Sequence, residues 1–212
     1  MSSIPNFMQS TSPGEGQRFF PSFFPVLLSI FLVLIPGFFF SKQQATAQRA
    51  EKEGLSHFDR LAQEATLLNQ RGQPAKVITL LEPHKGDKKN DSALFFNELG
   101  IAYRHQGKIS ESLQAYQSAL SRDPENPVVM KNLGDAFYLS QKYPQAVELY
   151  QKTLKANPRF QQAHSSLGLA YYQLQRYPEA LEEFENVLKM NPKDEQAQKF
   201  RDAIRKKIKA DR

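Results

Sequence analysis

An all-α stack of paired helices is the fold this sequence predicts, and three observations predict it. Leu-Gly pairs recur at Leu99-Gly100, Leu133-Gly134 and Leu167-Gly168, 34 residues apart. Aromatic residues keep the same step at Tyr103, Phe137 and Tyr171, and again thirteen residues further on at Tyr116, Tyr150 and Phe184. Helix-stopping pairs, Asp123-Pro124, Asn157-Pro158 and Asn191-Pro192, close each unit on that step. A fixed period of this length marks a protein whose units bury their apolar faces only against their neighbours.

The chain begins with a different kind of sequence. Residues 1–18 are expected to form a disordered tail. From Phe19 to Phe40 there are 22 residues without a charge, mostly Phe, Leu, Ile and Val. As a helix they would reach about 33 Å against a hydrocarbon core of about 30 Å, so residues 19–40 are expected to be a membrane-targeting segment. Two forms are open. A retained single-pass transmembrane helix agrees with an apolar run longer than the usual signal-peptide core of about 7–15 residues and with a lone Arg18 before it. Cleavage near Ala47, at the small-x-small sequence Ala45-Thr46-Ala47, would instead release an exported, periplasmic form. After the segment come Lys42, Arg49 and Lys52, so the positive-inside rule leans toward a cytoplasmic repeat region, whereas a signal-type anchor would leave the repeats outside. Residues 41–54 read as a linker. The absence of cysteine excludes a disulfide scaffold and a lipoprotein held through Cys.

From residue 93 onward apolar residues recur at steps of three and four, the spacing of one helix face, and no run alternates as a half-buried strand would. In the last full unit Leu167, Leu169, Ala170, Tyr171 and Leu174 form the first stripe, and Ala180, Leu181, Phe184, Val187 and Leu188 the second, with a turn expected over Gln175 to Glu179. Gly107 supplies a residue suited to positive φ in the first such turn, while Tyr143-Pro144 and Tyr177-Pro178 place proline at the start of the second helices. Gly100, Gly134 and Gly168 recur inside helices, where glycine costs about 1 kcal/mol relative to alanine, so close approach of a partner helix is expected there. At the end, Ala197, Phe200, Ile204 and Ile208 make one stripe on a final helix.

The Leu-Gly, aromatic, Ala, aromatic, Pro spacing resembles the tetratricopeptide repeat. Three units fit it, residues 93–126, 127–160 and 161–194. Ser112 departs from the Ala146 and Ala180 that hold its register, and Thr153 from Ala119 and Val187. Residues 55–92 read as a degenerate fourth unit, with Ala65, Leu68, Gly72, Ile78 and Leu81 aligned on Gly100, Tyr103, Gly107, Leu113 and Tyr116 if one residue is inserted between His84 and Asp91. Residues 195–212 read as a basic capping helix. The resemblance implies a right-handed superhelix of helix-turn-helix units whose first helices line a concave groove for a protein partner, either an extended peptide or a helix. Carried over by position, that groove holds Leu94, Asn97, Ile101, Arg104 and His105 from the first clear unit. It continues with Val128, Lys131, Asp135 and Tyr138, then Gln162, Ser165, Leu169 and Tyr172. Tyr138 and Tyr172 are the expected anchors, because aromatic residues dominate interface hot spots. Some members grip a chaperone's C-terminal carboxylate with Lys and Asn side chains. Here Asn132 matches that pattern while Ile101, Gln162 and Ser166 do not, so that ligand is not expected.

Charge and composition narrow the function further. Residues 55–198 carry seventeen basic and seventeen acidic side chains, so the net charge of +6 lies almost wholly in the seven basic residues after position 198. Those cations suit a helix C-terminus and a polar cap, and the same tail is the surface on which an anionic lipid or acidic partner would sit. A neutral solenoid argues against nucleic acid. His57, His84, His105 and His164 have no metal-ligand spacing and read as surface residues, and Glu179, Glu182, Glu183 and Glu185 as a solvated helix face. Without a nucleophilic cysteine, a phosphate loop or an isolated acid-base pair, no enzyme, cofactor or metal is expected. The expected role is a membrane-anchored interaction scaffold or assembly factor.

Overall fold

The computed structural model describes residues 55–210, and the tail, the apolar segment and the linker expected over residues 1–54 lie outside them. The described residues form helical pairs. These are α1 (His57–Gln70) with α2 (Pro74–Leu81), α3 (Ala93–His105) with α4 (Ile109–Leu120), α5 (Pro127–Leu139) with α6 (Tyr143–Ala156), and α7 (Gln161–Gln173) with α8 (Tyr177–Met190). A single helix, α9 (Glu195–Ala210), closes the series, and a short 3-10 turn, Glu82–His84, follows α2. Among these residues no helix is long and apolar enough to cross a membrane.

Most first and second helices start by different chemistry, α7 and α4 having neither a side-chain cap nor a first-turn proline. Ser56, Ser92 and Asn126 accept the exposed amides of α1, α3 and α5 on their side-chain oxygens, which removes orphan donors at each start. The second helices α2, α6 and α8 instead carry proline in their first turn, where its missing N–H costs nothing. Each first helix then ends in one motif. The amide of Lys108 donates to the Tyr103 carbonyl at 2.9 Å and that of Gly107 to Arg104 at 3.0 Å, the paired bonds of a Schellman cap. Lys142 and Arg176 repeat the first bond at 2.9 Å, so the last turn spans Leu174 to Arg176 rather than Gln175 to Glu179, which Pro178 at the helix start requires. The residue that must turn left-handed is Gly72 or Gly107 in the first two pairs and Gln141 or Gln175, both at φ 59°, in the last two.

Packing explains the Leu-Gly step. A Cβ on Gly100 would sit 2.6 Å from Tyr116 Cε1, and one on Gly134 2.6 Å from Tyr150 Cε1. Each glycine is the slot for the ring sixteen residues on, which lets the two helices of a unit close over a fully buried aromatic. At Ser112 the departure from alanine is absorbed by a hydrogen bond to the Gly100 carbonyl at 3.0 Å, and Thr153 likewise bonds the Leu149 carbonyl at 2.8 Å. Helix α9 buries Ala197 and Ile204 and stacks Phe200 on Phe184 at 4.9 Å. Two expectations of plain surface residues are corrected. His164 is only 12% exposed, held between the Glu183 carboxylate and the Pro158 carbonyl, and Glu183 therefore belongs to the packing rather than to a solvated face.

Candidate functional site: the first-helix face

Helices α3, α5 and α7 lie side by side across the clear units, and their exposed stripe carries the residues assigned to the groove. The stripe divides into two parts of unlike chemistry. Toward α1 the polar side chains are turned inward and bonded to one another. Asn69 on α1 donates to the Glu98 carboxylate at 2.8 Å and to its backbone carbonyl at 3.0 Å. Asn97 donates to the other Glu98 oxygen at 3.2 Å and accepts from Asn132 of α5 at 2.9 Å. Asn97, Glu98 and Asn132 are all buried, so this chain of amides and one carboxylate is a seam joining three successive first helices. Burial pushes the Glu98 carboxyl above the ordinary range, and the bonds from Asn69 and Asn97 pull it part of the way back.

Further along, the stripe opens. Arg104, Asp135, Tyr138, Leu139, Tyr150, Ser166 and Leu169 line a pocket of about 150 Å³ between α3, α5 and α7, with the Tyr150 hydroxyl reaching it from α6. Asp135 is the best-bonded group there. One of its oxygens meets Lys131 Nζ at 2.8 Å, and the other accepts the Tyr150 hydroxyl at 2.9 Å and the Ser166 hydroxyl at 3.4 Å. Burial, and then the Asp135 charge, raise the Tyr150 hydroxyl well above the usual phenol range. Arg104 is the opposite case. Its Nε is buried without a hydrogen-bond partner, as is the Tyr116 hydroxyl near it. Burial pushes that hydroxyl up to about 12, against the pull of the Arg104 charge.

The structure brings Arg104, Asp135, Tyr138 and Leu169 of the expected groove into the pocket. Leu94 and Val128, 41% and 48% exposed, lie together in register at the starts of α3 and α5, with Gln162 exposed in the same register of α7. Ile101, Ser165 and Tyr172 are half-buried along the stripe, His105 is exposed at the end of α3, and Lys131 is held by Asp135. Asn97 is not open to the groove, because it belongs to the seam. Tyr138 and Tyr172 each meet an aromatic of the following helix edge-on, Tyr143 at 5.3 Å and Tyr177 at 5.6 Å. Sequence reasoning missed Leu139, Tyr150 and Ser166. For Tyr150 the signal pointed elsewhere: its ring fills the Gly134 slot, and only its hydroxyl reaches the pocket.

The tetratricopeptide repeat profile matches residues 88–127, 97–158 and 131–195, together just over half of the chain. The chain belongs to the tetratricopeptide repeat family. No curated protein matches it in sequence. Among solved structures, it is similar to the first repeat domain of Spaghetti (RPAP3) bound to the HSP90 peptide SRMEEVD, with 28% identity and a TM-score of 0.55 over 57% of this chain and 95% of that one. The first repeat domain of human RPAP3 gives 29% identity and a TM-score of 0.54, covering 56% and 93% of the two chains. A tetratricopeptide repeat protein from Parabacteroides merdae ATCC 43184 is 27% identical with a TM-score of 0.62, and the match covers 73% of this chain and 60% of that one. Tetratricopeptide repeats typically mediate protein–protein interaction.

Proposed function

We propose that the chain is an interaction scaffold or assembly factor that receives a segment of a protein partner along the first-helix face of its repeats. The pocket between α3, α5 and α7 carries this reading, because it combines apolar walls at Leu139 and Leu169 with polar groups at Arg104 and Tyr138, the mixture a peptide-binding groove needs. The first repeat domain of Spaghetti (RPAP3), similar to this chain, was solved bound to an HSP90 peptide. The division into a worn unit over residues 55–92, three units over 93–194 and a capping helix over 195–212 is part of the proposal. So is the place of action. The uncharged run Phe19–Phe40 supports a membrane location, with the repeats on the cytoplasmic side by the flanking cations, and an exported form cut near Ala47 as the second reading. The experiment is affinity recovery of partners on the full chain from its own cells, beside a Tyr138→Ala/Tyr172→Ala variant shown by circular dichroism to keep its helicity. Recovery should fall several-fold in the variant. Equal recovery would overturn the groove reading, and amino-terminal sequencing of the same sample separates the anchored form from one starting at Gln48.

A further inference from the structure

The polar groups of the pocket differ in what they still lack. Asp135 has both oxygens engaged, by Lys131 on one side and by Tyr150 and Ser166 on the other, so its charge is met within the fold. Arg104 has no carboxylate partner, and the group beside its guanidinium is the neutral Tyr116 hydroxyl. Its Nε is buried and unbonded, and among the described residues no carboxylate lies within ion-pair distance of its guanidinium. A buried guanidinium donor left unbonded is expensive, and a carboxylate is the group whose geometry answers it with two parallel bonds. Asn132, the one residue that matches the terminal-carboxylate grip, is spent on Asn97 in the seam.

We propose that the pocket takes an acidic side chain, Asp or Glu, from inside the partner segment, with Arg104 as the residue that binds its carboxylate and Leu139 and Leu169 receiving an adjacent apolar side chain. Tyr138 also lines the pocket, its hydroxyl accepting from Gln173 Nε2 at 3.3 Å. A basic ligand is disfavoured, because the only carboxylate in the pocket is already neutralised and Arg104 would repel it. The cavity of about 150 Å³ takes side chains rather than a helix, so the contact is a point of specificity within a longer groove. This recognition rests on the groove reading and adds to it the charge and position of the recognised residue.

The test is a random twelve-residue peptide library, each peptide fused at its C-terminus so that no free terminal carboxylate is present, panned on the full chain and on its Arg104→Gln and Arg104→Glu variants. Peptides selected by the native chain should be enriched in Asp or Glu beside an apolar residue. Their affinity should drop about tenfold for Arg104→Gln, and Arg104→Glu should select Lys or Arg in the same place. Binders that Tyr138→Ala/Tyr172→Ala abolishes, yet that show no acidic enrichment and bind Arg104→Gln unchanged, would overturn the Arg104 assignment and leave the groove standing. A library yielding no binder that depends on the two tyrosines would overturn the groove and this inference with it.

Discussion

Two neighbouring stretches of the same helical face have been put to opposite uses. Between α1 and α5 the polar residues Asn69, Asn97, Glu98 and Asn132 are turned inward and satisfy one another. Between α3 and α7 the residues one or two turns further on, Arg104, Tyr138 and Leu139, are left around an open pocket with a guanidinium nitrogen unbonded. The seam spends its polar groups on joining units, and the pocket withholds one of them from the fold. A polar residue on this face is thus a stabilising contact or a recognition group according to whether the fold already supplies its partner.

The largest expected effect comes from the glycine slot behind the pocket. Gly134→Leu would drive side-chain atoms into the Tyr150 ring, which a Cβ alone would meet at 2.6 Å. Overpacking of this kind costs about 1–3 kcal/mol or more. It would also pull the Tyr150 hydroxyl from Asp135, so the variant should lose both unfolding free energy in urea and the pocket's bonding. An unchanged urea midpoint would show that the glycine slot is not what holds the two helices of a unit together. A smaller effect of opposite sign is expected at the turns. In the first two helical pairs Gly72 and Gly107 take the left-handed position without cost, whereas in the last two Gln141 and Gln175 hold φ 59° with a side chain attached. Gln141→Gly should therefore raise stability by up to about 1 kcal/mol, the left-handed penalty less the added freedom of the unfolded chain. Loss of stability on that change would mean the turn at Gln141 carries no strain.

The repeat was legible because its determinants are local and periodic. Gly134 and Tyr150 are sixteen residues apart in every unit, so packing between paired helices writes itself into the sequence at a fixed step. The pocket was legible only as a register. Arg104, Asp135, Tyr138 and Leu169 fell into the pocket because a helix face repeats with the unit. The seam was hidden because its decisive bond joins Asn97 to Asn132, 35 residues apart and so one step out of the period. Position alone therefore groups Asn97 with groove residues that are open to solvent. Tyr150 was passed over because repeat position explains its ring without asking its hydroxyl for a partner, and Ser166 because it was weighed only as a carboxylate-grip position that it does not match. His164 shows the same limit, its bridge to Glu183 crossing from α7 to α8 where no spacing rule pairs those residue types.

The division between seam and pocket is tested most directly by one urea-unfolding experiment on the full chain with two single substitutions. Asn97→Ala leaves the Asn132 amide and a Glu98 oxygen unpaired in the interior, which costs about 1–3 kcal/mol. Arg104→Met keeps an apolar stem and removes a charged group whose buried nitrogen has no partner, so stability should be unchanged or higher. A lowered midpoint for Asn97→Ala beside an unchanged or raised one for Arg104→Met is the predicted result. Equal losses in the two variants would contradict it, since Arg104 would then be a structural residue and the pocket a continuation of the seam.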